Sequence, residues 1–256
     1  MTWLNLAQLI WLCASLCLFG LALFPLYART SPKRGRSLMP HVAIVALIAG
    51  LFAVVLHVAA IGSSLAQIAV TGIGRTWLTQ LVIIALAYFA SYRRPTATIA
   101  LAGANLIGFA LVGHANAIAG GYGVFLEAAH VLAIGAWLGG AGALACALAG
   151  PDAERAVTRF SWAATVFVSV IAVTGVAILR TNTGAMLPIS VTRYGQLILV
   201  KLVLFAAALG CAAFNRLFAT PRGAWRFMAR VIAGELALLF LIVAAAVALA
   251  QTEPCG

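Results

Sequence analysis

The fold class this sequence predicts is all-α: a polytopic transmembrane helical bundle of about eight transmembrane helices. Three observations predict it. Of the 256 residues, 64% are hydrophobic and 8% are charged, and the mean hydropathy is +1.11. Apolar runs of about 20 residues, long enough to cross a bilayer as helices, recur along the whole length. Twelve of the sixteen Lys and Arg residues fall in four short linkers between those runs. The runs are continuous in Leu, Ala, Val and Ile. A membrane β-barrel would instead alternate apolar and polar residues over segments of about ten.

The spans follow in order. The first runs from about Trp3 to Tyr27; it lacks a basic start and a small-residue cleavage site, so it reads as a retained span. A linker over 28–40 carries Arg29, Lys33, Arg34 and Arg36. The second span covers about His41 to Ala60. The stretch 61–74 is short and moderately apolar, a loop or a short helix at the interface. The third span covers about Thr76 to Tyr92 and stops at Arg93, Arg94 and Pro95. The fourth covers about Thr96 to His114, and an uncharged connection over 115–121 follows. The fifth covers about Tyr122 to Ala149. A linker of mixed charge over 150–159 leads to the sixth span, about Phe160 to Leu179. A polar loop over 180–193 leads to the seventh, about Tyr194 to Asn215. The basic linker 216–230 leads to the eighth, about Val231 to Ala250.

This makes one integral membrane domain over 1–256, whose surroundings are membrane lipid. Alternate linkers carry four, two, two and four cationic residues, against one, none and two in the others. The positive-inside rule places the basic linkers in the cytoplasm and both termini on the periplasmic side. The same rule accounts for most of the net charge of +11. With no basic domain outside the spans, nucleic-acid binding is excluded. Four of the five cysteines lie within apolar segments, which argues against a disulfide framework.

Chemistry must then come from ionisable residues inside the spans, which are costly there and by default mark function. The fifth span carries Glu127 and His130 three residues apart, on one face of a helix. With about 1.5 Å of rise per residue, they lie roughly 8 and 12 Å below its outer start. His57 and His114 end the second and fourth spans at the same side of the membrane. His41 falls at the opposite face. His57, His114, His130 and Glu127 therefore form a candidate metal site. Imidazole and carboxylate donors suit zinc, copper, iron or nickel, and the carboxylate either binds the metal or orients a histidine.

Cys13 and Cys17, spaced i, i+4, and Cys146 and Cys211 lie in the inner half of the membrane. Soft thiols below a nitrogen site would make a relay suited to Cu(I). Lys201, about 11 Å below the outer face, and Glu235, about 8 Å above the inner face, are a candidate ion pair or a charge relay coupled to transport. Small residues over 135–140 allow close helix approach, and Trp137 among them either packs or covers a buried site. No nucleotide-binding GxxxxGK[ST] loop occurs. No nucleophile, base and orienting group are arranged as in an enzyme.

Gly113-His114-Ala115, the helix carrying His130 and Trp137-Leu138-Gly139-Gly140, and then Arg159-Phe160-Ser161, Thr174-Gly175, Tyr194-Gly195, Lys201 and Asn215-Arg216 follow one another in an order that resembles the CopD family, the copper resistance protein D group of bacterial inner-membrane proteins. The resemblance covers about 96–254; the first three spans resemble the family mainly in topology. It implies a multi-pass protein of the bacterial inner membrane that carries copper ion from the periplasm toward the cytoplasm. It also implies a separate periplasmic CopC-type copper carrier as partner, since the sequence opens directly on a span. With four methionines and no methionine cluster, capture falls to the histidines. Two alternatives remain open: a membrane b-type haem protein for electron transfer that uses two of the same histidines, and a metal-free partner or scaffold subunit.

Overall fold

The computed structural model describes residues 2–30, 33–112, 114–183 and 192–252, with the backbone alone for 114–117. Those residues form nine α-helices and no strand. They are α1 (Trp3–Ala28), α2 (Lys33–Ala60), the short α3 (Leu65–Ala69), α4 (Gly72–Ser91), α5 (Pro95–Val112), α6 (His114–Ala147), α7 (Ala153–Thr183), α8 (Arg193–Phe214) and α9 (Trp225–Leu249). A π-helical turn, Asn215–Ala219, extends α8. Eight of the helices are long and apolar enough to cross a membrane, as the sequence predicts.

Capping and turn chemistry set the ends. Thr2, Thr71 and Thr192 each accept a hydrogen bond from the backbone N–H three residues on, which satisfies a donor that the first turn leaves open. Ser64 and Gln67 form a reciprocal capping box at α3, so the stretch between the second and third spans contains a short helix. Left-handed backbone at Arg29 closes α1 and at Gly62 follows the end of α2.

The boundaries differ from the sequence reading where polar residues continue a helix. α2 begins at Lys33, not His41, and α9 begins at Trp225, not Val231. Lys and Arg at helix ends reach the aqueous interface with their long side chains, so hydropathy marks the hydrocarbon layer and not the helix. His114 opens α6 instead of closing the preceding span. The connection expected over 115–121 is helical, broken at Gly120 (φ 54°, ψ −135°), a conformation open to glycine and costly for other residues.

α1 and α6 are the most buried spans and cross at the centre. Gly20 of α1 meets Gly135 and Gly139 of α6; a Cβ on Gly139 would lie 2.6 Å from the Cys17 carbonyl oxygen and 2.7 Å from Gly20 Cα. The small-residue stretch over 135–140 therefore brings two backbones together, the usual device of membrane helix packing. Around this pair, α2 and α5 flank α1, α4 bridges α2 and α5, α7 packs along α6, and α8 packs along α9. A buried polar relay ties the N-terminal helices. Gln80 donates to the Asn105 carbonyl at 2.9 Å, Asn105 Nδ2 donates to Ser15 Oγ at 2.9 Å, and Ser15 donates to the Trp11 carbonyl at 2.8 Å. The two of these bonds that cross between helices contribute roughly 0.6 kcal/mol each within a membrane.

The end of α1 and the start of α7 lie at the same end of the bundle: Arg159 at the start of α7 reaches the Tyr27 carbonyl near the end of α1. This end is called the basic end below. His57 and the start of α6 lie at the other.

Candidate metal-capture site

Glu127 and His130 share one face of α6, as their spacing requires. His130 is partly buried, with its ring against α7. Gly175 lies beside it: a Cβ there would stand 3.4 Å from His130 Cε1, an ordinary contact, and only a side chain longer than alanine's would press on the ring.

The neighbouring Thr174 fixes which ring nitrogen is protonated. Thr174 Oγ1 lies 2.6 Å from the Val170 carbonyl oxygen, which can only accept. The single hydroxyl proton goes there. Thr174 Oγ1 is also 2.9 Å from His130 Nδ1, and in that bond it accepts. Nδ1 therefore carries the proton. In the neutral ring Nε2 then keeps its lone pair. A neutral imidazole anchored through one nitrogen and open at the other is the form that ligates metals.

α8 brings Lys201 to the same region. Its charge acts on both Glu127 and His130. Among the described residues the only direct ion pair is Arg155–Asp152, at 3.0 Å, so Lys201 acts through space. The pairing of Lys201 with Glu235 weighed from the sequence is not formed. Glu235, 3% exposed, accepts a hydrogen bond from Trp137 Nε1 at 2.9 Å. The depths explain this: Lys201 lies level with Glu127 and His130, while Glu235 lies nearer the basic end.

His57 is held differently. Its ring sits 5.0 Å from that of Trp77 on α4, at 60°, because α2 lies against α1 and α4 and touches α6 only slightly. Among the described residues no three His, Cys, Asp or Glu side chains converge, so His57 does not join Glu127 and His130 in one ligand group. The His114 side chain lies outside the described residues. Its backbone opens α6, six residues before the break at Gly120. His41 lies toward the basic end, with Nδ1 2.8 Å from the Ser37 carbonyl oxygen.

Cys13 and Cys17 are free, partly buried neighbours on α1. Cys146 lies in the field of Arg34, and Cys211 in that of Glu235. No three of the described thiols, carboxylates and imidazoles form a ligand group around any of them.

Residues 2–124 match the family described as copper resistance protein D-like, N-terminal domain, and residues 154–249 match copper resistance protein D. The chain belongs to the CopD family. It is a multi-pass membrane protein of a copper resistance family, and the kinship reaches the first three spans as well as the C-terminal half. No curated protein and no solved structure matches it. Thr174, Lys201 and Glu235 lie within the C-terminal CopD match and His57 and His114 within the N-terminal one. Glu127 and His130 lie on α6 between the two.

Sequence reasoning missed Thr174 as the partner of His130. A threonine inside a span ordinarily bonds its own preceding turn, which Thr174 also does, so nothing in its position marks the second role.

Proposed function

We propose that this chain takes up copper at the end of the bundle where α6 begins and passes it toward the basic end, with the basic end in the cytoplasm. The observation that carries this is His130, held inside the membrane with Nδ1 bonded to Thr174 and Nε2 left as the donor, next to a carboxylate. Family membership supplies the metal. His57 at the end of α2 and His114 at the start of α6 serve as entry ligands. His130, about 15 Å along α6 from Gly120, is the deeper one. Glu127 compensates the charge of the arriving ion, which competes with Lys201 for it. A separate CopC-type carrier would deliver the copper.

Proteoliposomes holding a trapped copper-sensitive dye test this directly. Copper added outside should reach the dye faster than in empty vesicles, and His130→Ala should return the rate to that of empty vesicles. Equal rates for the wild type and empty vesicles would overturn transport.

The tautomer argument makes its own prediction. Thr174→Val keeps the side-chain volume but removes the acceptor for Nδ1–H. Loss of such a supporting partner typically weakens metal binding about 10- to 100-fold. Copper affinity should fall by that amount in Thr174→Val and recover in Thr174→Ser. Equal affinity in the Val and Ser variants would show that Thr174 only packs.

A further inference from the structure

Seven residues beyond His130 on α6, about 10 Å toward the basic end, Trp137 meets Phe205 of α8 edge to face, with ring centroids 5.9 Å apart. Phe205 follows Lys201 by one turn. Trp137 also lines a half-open cavity of about 350 Å³ between α6, α7, α8 and α9. The cavity exists because α7 follows α6 and α8 follows α9, which leaves a cleft between α7 and α8.

Glu235 lines this cavity. It is 3% exposed and held through one oxygen by the neutral Trp137 indole. Asn215 lines it too, is 8% exposed, and has no hydrogen-bond partner on Oδ1. α7 contributes a hydroxyl stripe, Ser161, Thr165 and Ser169. Thr165 and Ser169 donate to the preceding carbonyls of Ser161 and Thr165, both at 2.9 Å, so their oxygens remain acceptors. The exposed Arg216 lies where the cavity reaches the basic end, bonded to Thr165 Oγ1 at 3.1 Å and set over the Trp162 ring at 4.9 Å.

The groups around Glu235 leave its charge uncompensated. α6 presents the uncharged Trp137, α7 its hydroxyls, with Arg159 turned to the Tyr27 carbonyl. α8 presents Cys211, with Lys201 beyond Phe205, and the π turn presents Arg216. α1 carries Cys13, Cys17 and Tyr27 and no charged residue. On α9 itself, Arg226 and Arg230 lie toward its start. None makes an ion pair with Glu235 among the described residues. A desolvated carboxylate without a counter-charge is costly, and an intramembrane carboxylate facing a cavity is the usual form of a proton relay.

We propose that Glu235 is a proton-exchange site served from the basic end through this cavity and closed from the His130 region by Trp137 and Phe205. The carboxylate takes a proton from hydronium in the cavity, giving the carboxylic acid and water, while the Trp137 N–H stays bonded to Oε1. Release reverses the step. The lining is mostly apolar, and water in a space of this size is held at its polar groups, for which Asn215 Oδ1 and the α7 hydroxyls are the acceptors. Arg216 at the exposed end opposes entry of a metal cation, and proton exchange needs only a hydrogen-bonded chain. This assignment does not depend on copper capture at His130.

Infrared difference spectroscopy of the purified full-length protein tests it without copper. Stepping the pH should produce a carboxylic C=O band that shifts in heavy water, persists in Glu127→Gln and is lost in Glu235→Gln, whose amide oxygen still accepts from Trp137. Trp137→Phe should keep the band and move it to higher frequency, because a hydrogen bond to the carbonyl is gone; this variant decides the matter if Glu235→Gln does not fold. A spectrum without a band assignable to Glu235 would overturn the proposal, as would a band in Trp137→Phe at the wild-type frequency. A Glu235 signal that responds to sodium at constant pH would identify an alkali-cation site and overturn it equally.

Discussion

Alanine in place of His130 lowers copper affinity by more than the about 100-fold that loss of a supporting partner costs. The reason is geometric. His130 is the described imidazole that combines a fixed neutral tautomer, a donor nitrogen left open and a carboxylate on the same helix face. Removing it takes the imidazole from beside Glu127 and leaves the carboxylate in the field of Lys201. Competition against a chelator of known affinity measures the change. His41→Ala is the control: that ring is fixed on the Ser37 carbonyl toward the opposite end, and its loss should leave affinity unchanged. His57→Ala should slow loading while changing equilibrium affinity only a few-fold. Wild-type affinity in His130→Ala would remove this residue from the site.

Leucine at Gly139 has the second large effect, on folding. The central crossing of α1 and α6 has no side chain on either partner, and the first atom added at Gly139 would lie 2.6 Å from a carbonyl oxygen and 2.7 Å from a Cα. Overpacking a core usually costs about 1–3 kcal/mol because neighbouring side chains yield. Here the obstacles are backbone, so α1 and α6 must move apart as bodies, and the cost should reach or exceed the top of that range. Glycine to leucine at position 142, on the same helix with open space around its Cβ position, should be nearly neutral. Thermal unfolding in detergent distinguishes the two: a sharp loss of folded protein for Gly139→Leu and a midpoint near wild type for Gly142→Leu. Matching midpoints would mean that the crossing is not the structural centre.

The number, order and type of the helices were legible because crossing a bilayer demands length and apolarity together, and both are written in the residues. Helix ends were not, because Lys33, Arg34, Arg36, Arg226 and Arg230 belong to helices yet read as linker. The meeting of Gly20 with Gly139 was half legible: the glycines of α6 announced a close approach but not with which helix. Lys201 is instructive. Its depth matched that of Glu127 and His130 along the chain, yet opposite charge drew attention to Glu235, whose carboxylate instead bonds an indole ninety-eight residues earlier. Depth along a helix is encoded locally; the rotation that selects a partner at that depth comes from packing. His57 shows the same limit, since its level in the membrane fitted the site but α2 turns its ring to Trp77.

The most direct measurement is elemental analysis of detergent-purified protein after copper loading, for the wild type and His130→Ala in parallel. The expected result is about one copper per chain in the wild type, a stoichiometry set by one deep imidazole anchored through its second nitrogen, and a large loss in the variant. Equal copper in the two proteins, or stoichiometric iron with a haem absorption band in place of copper, would contradict copper capture at His130.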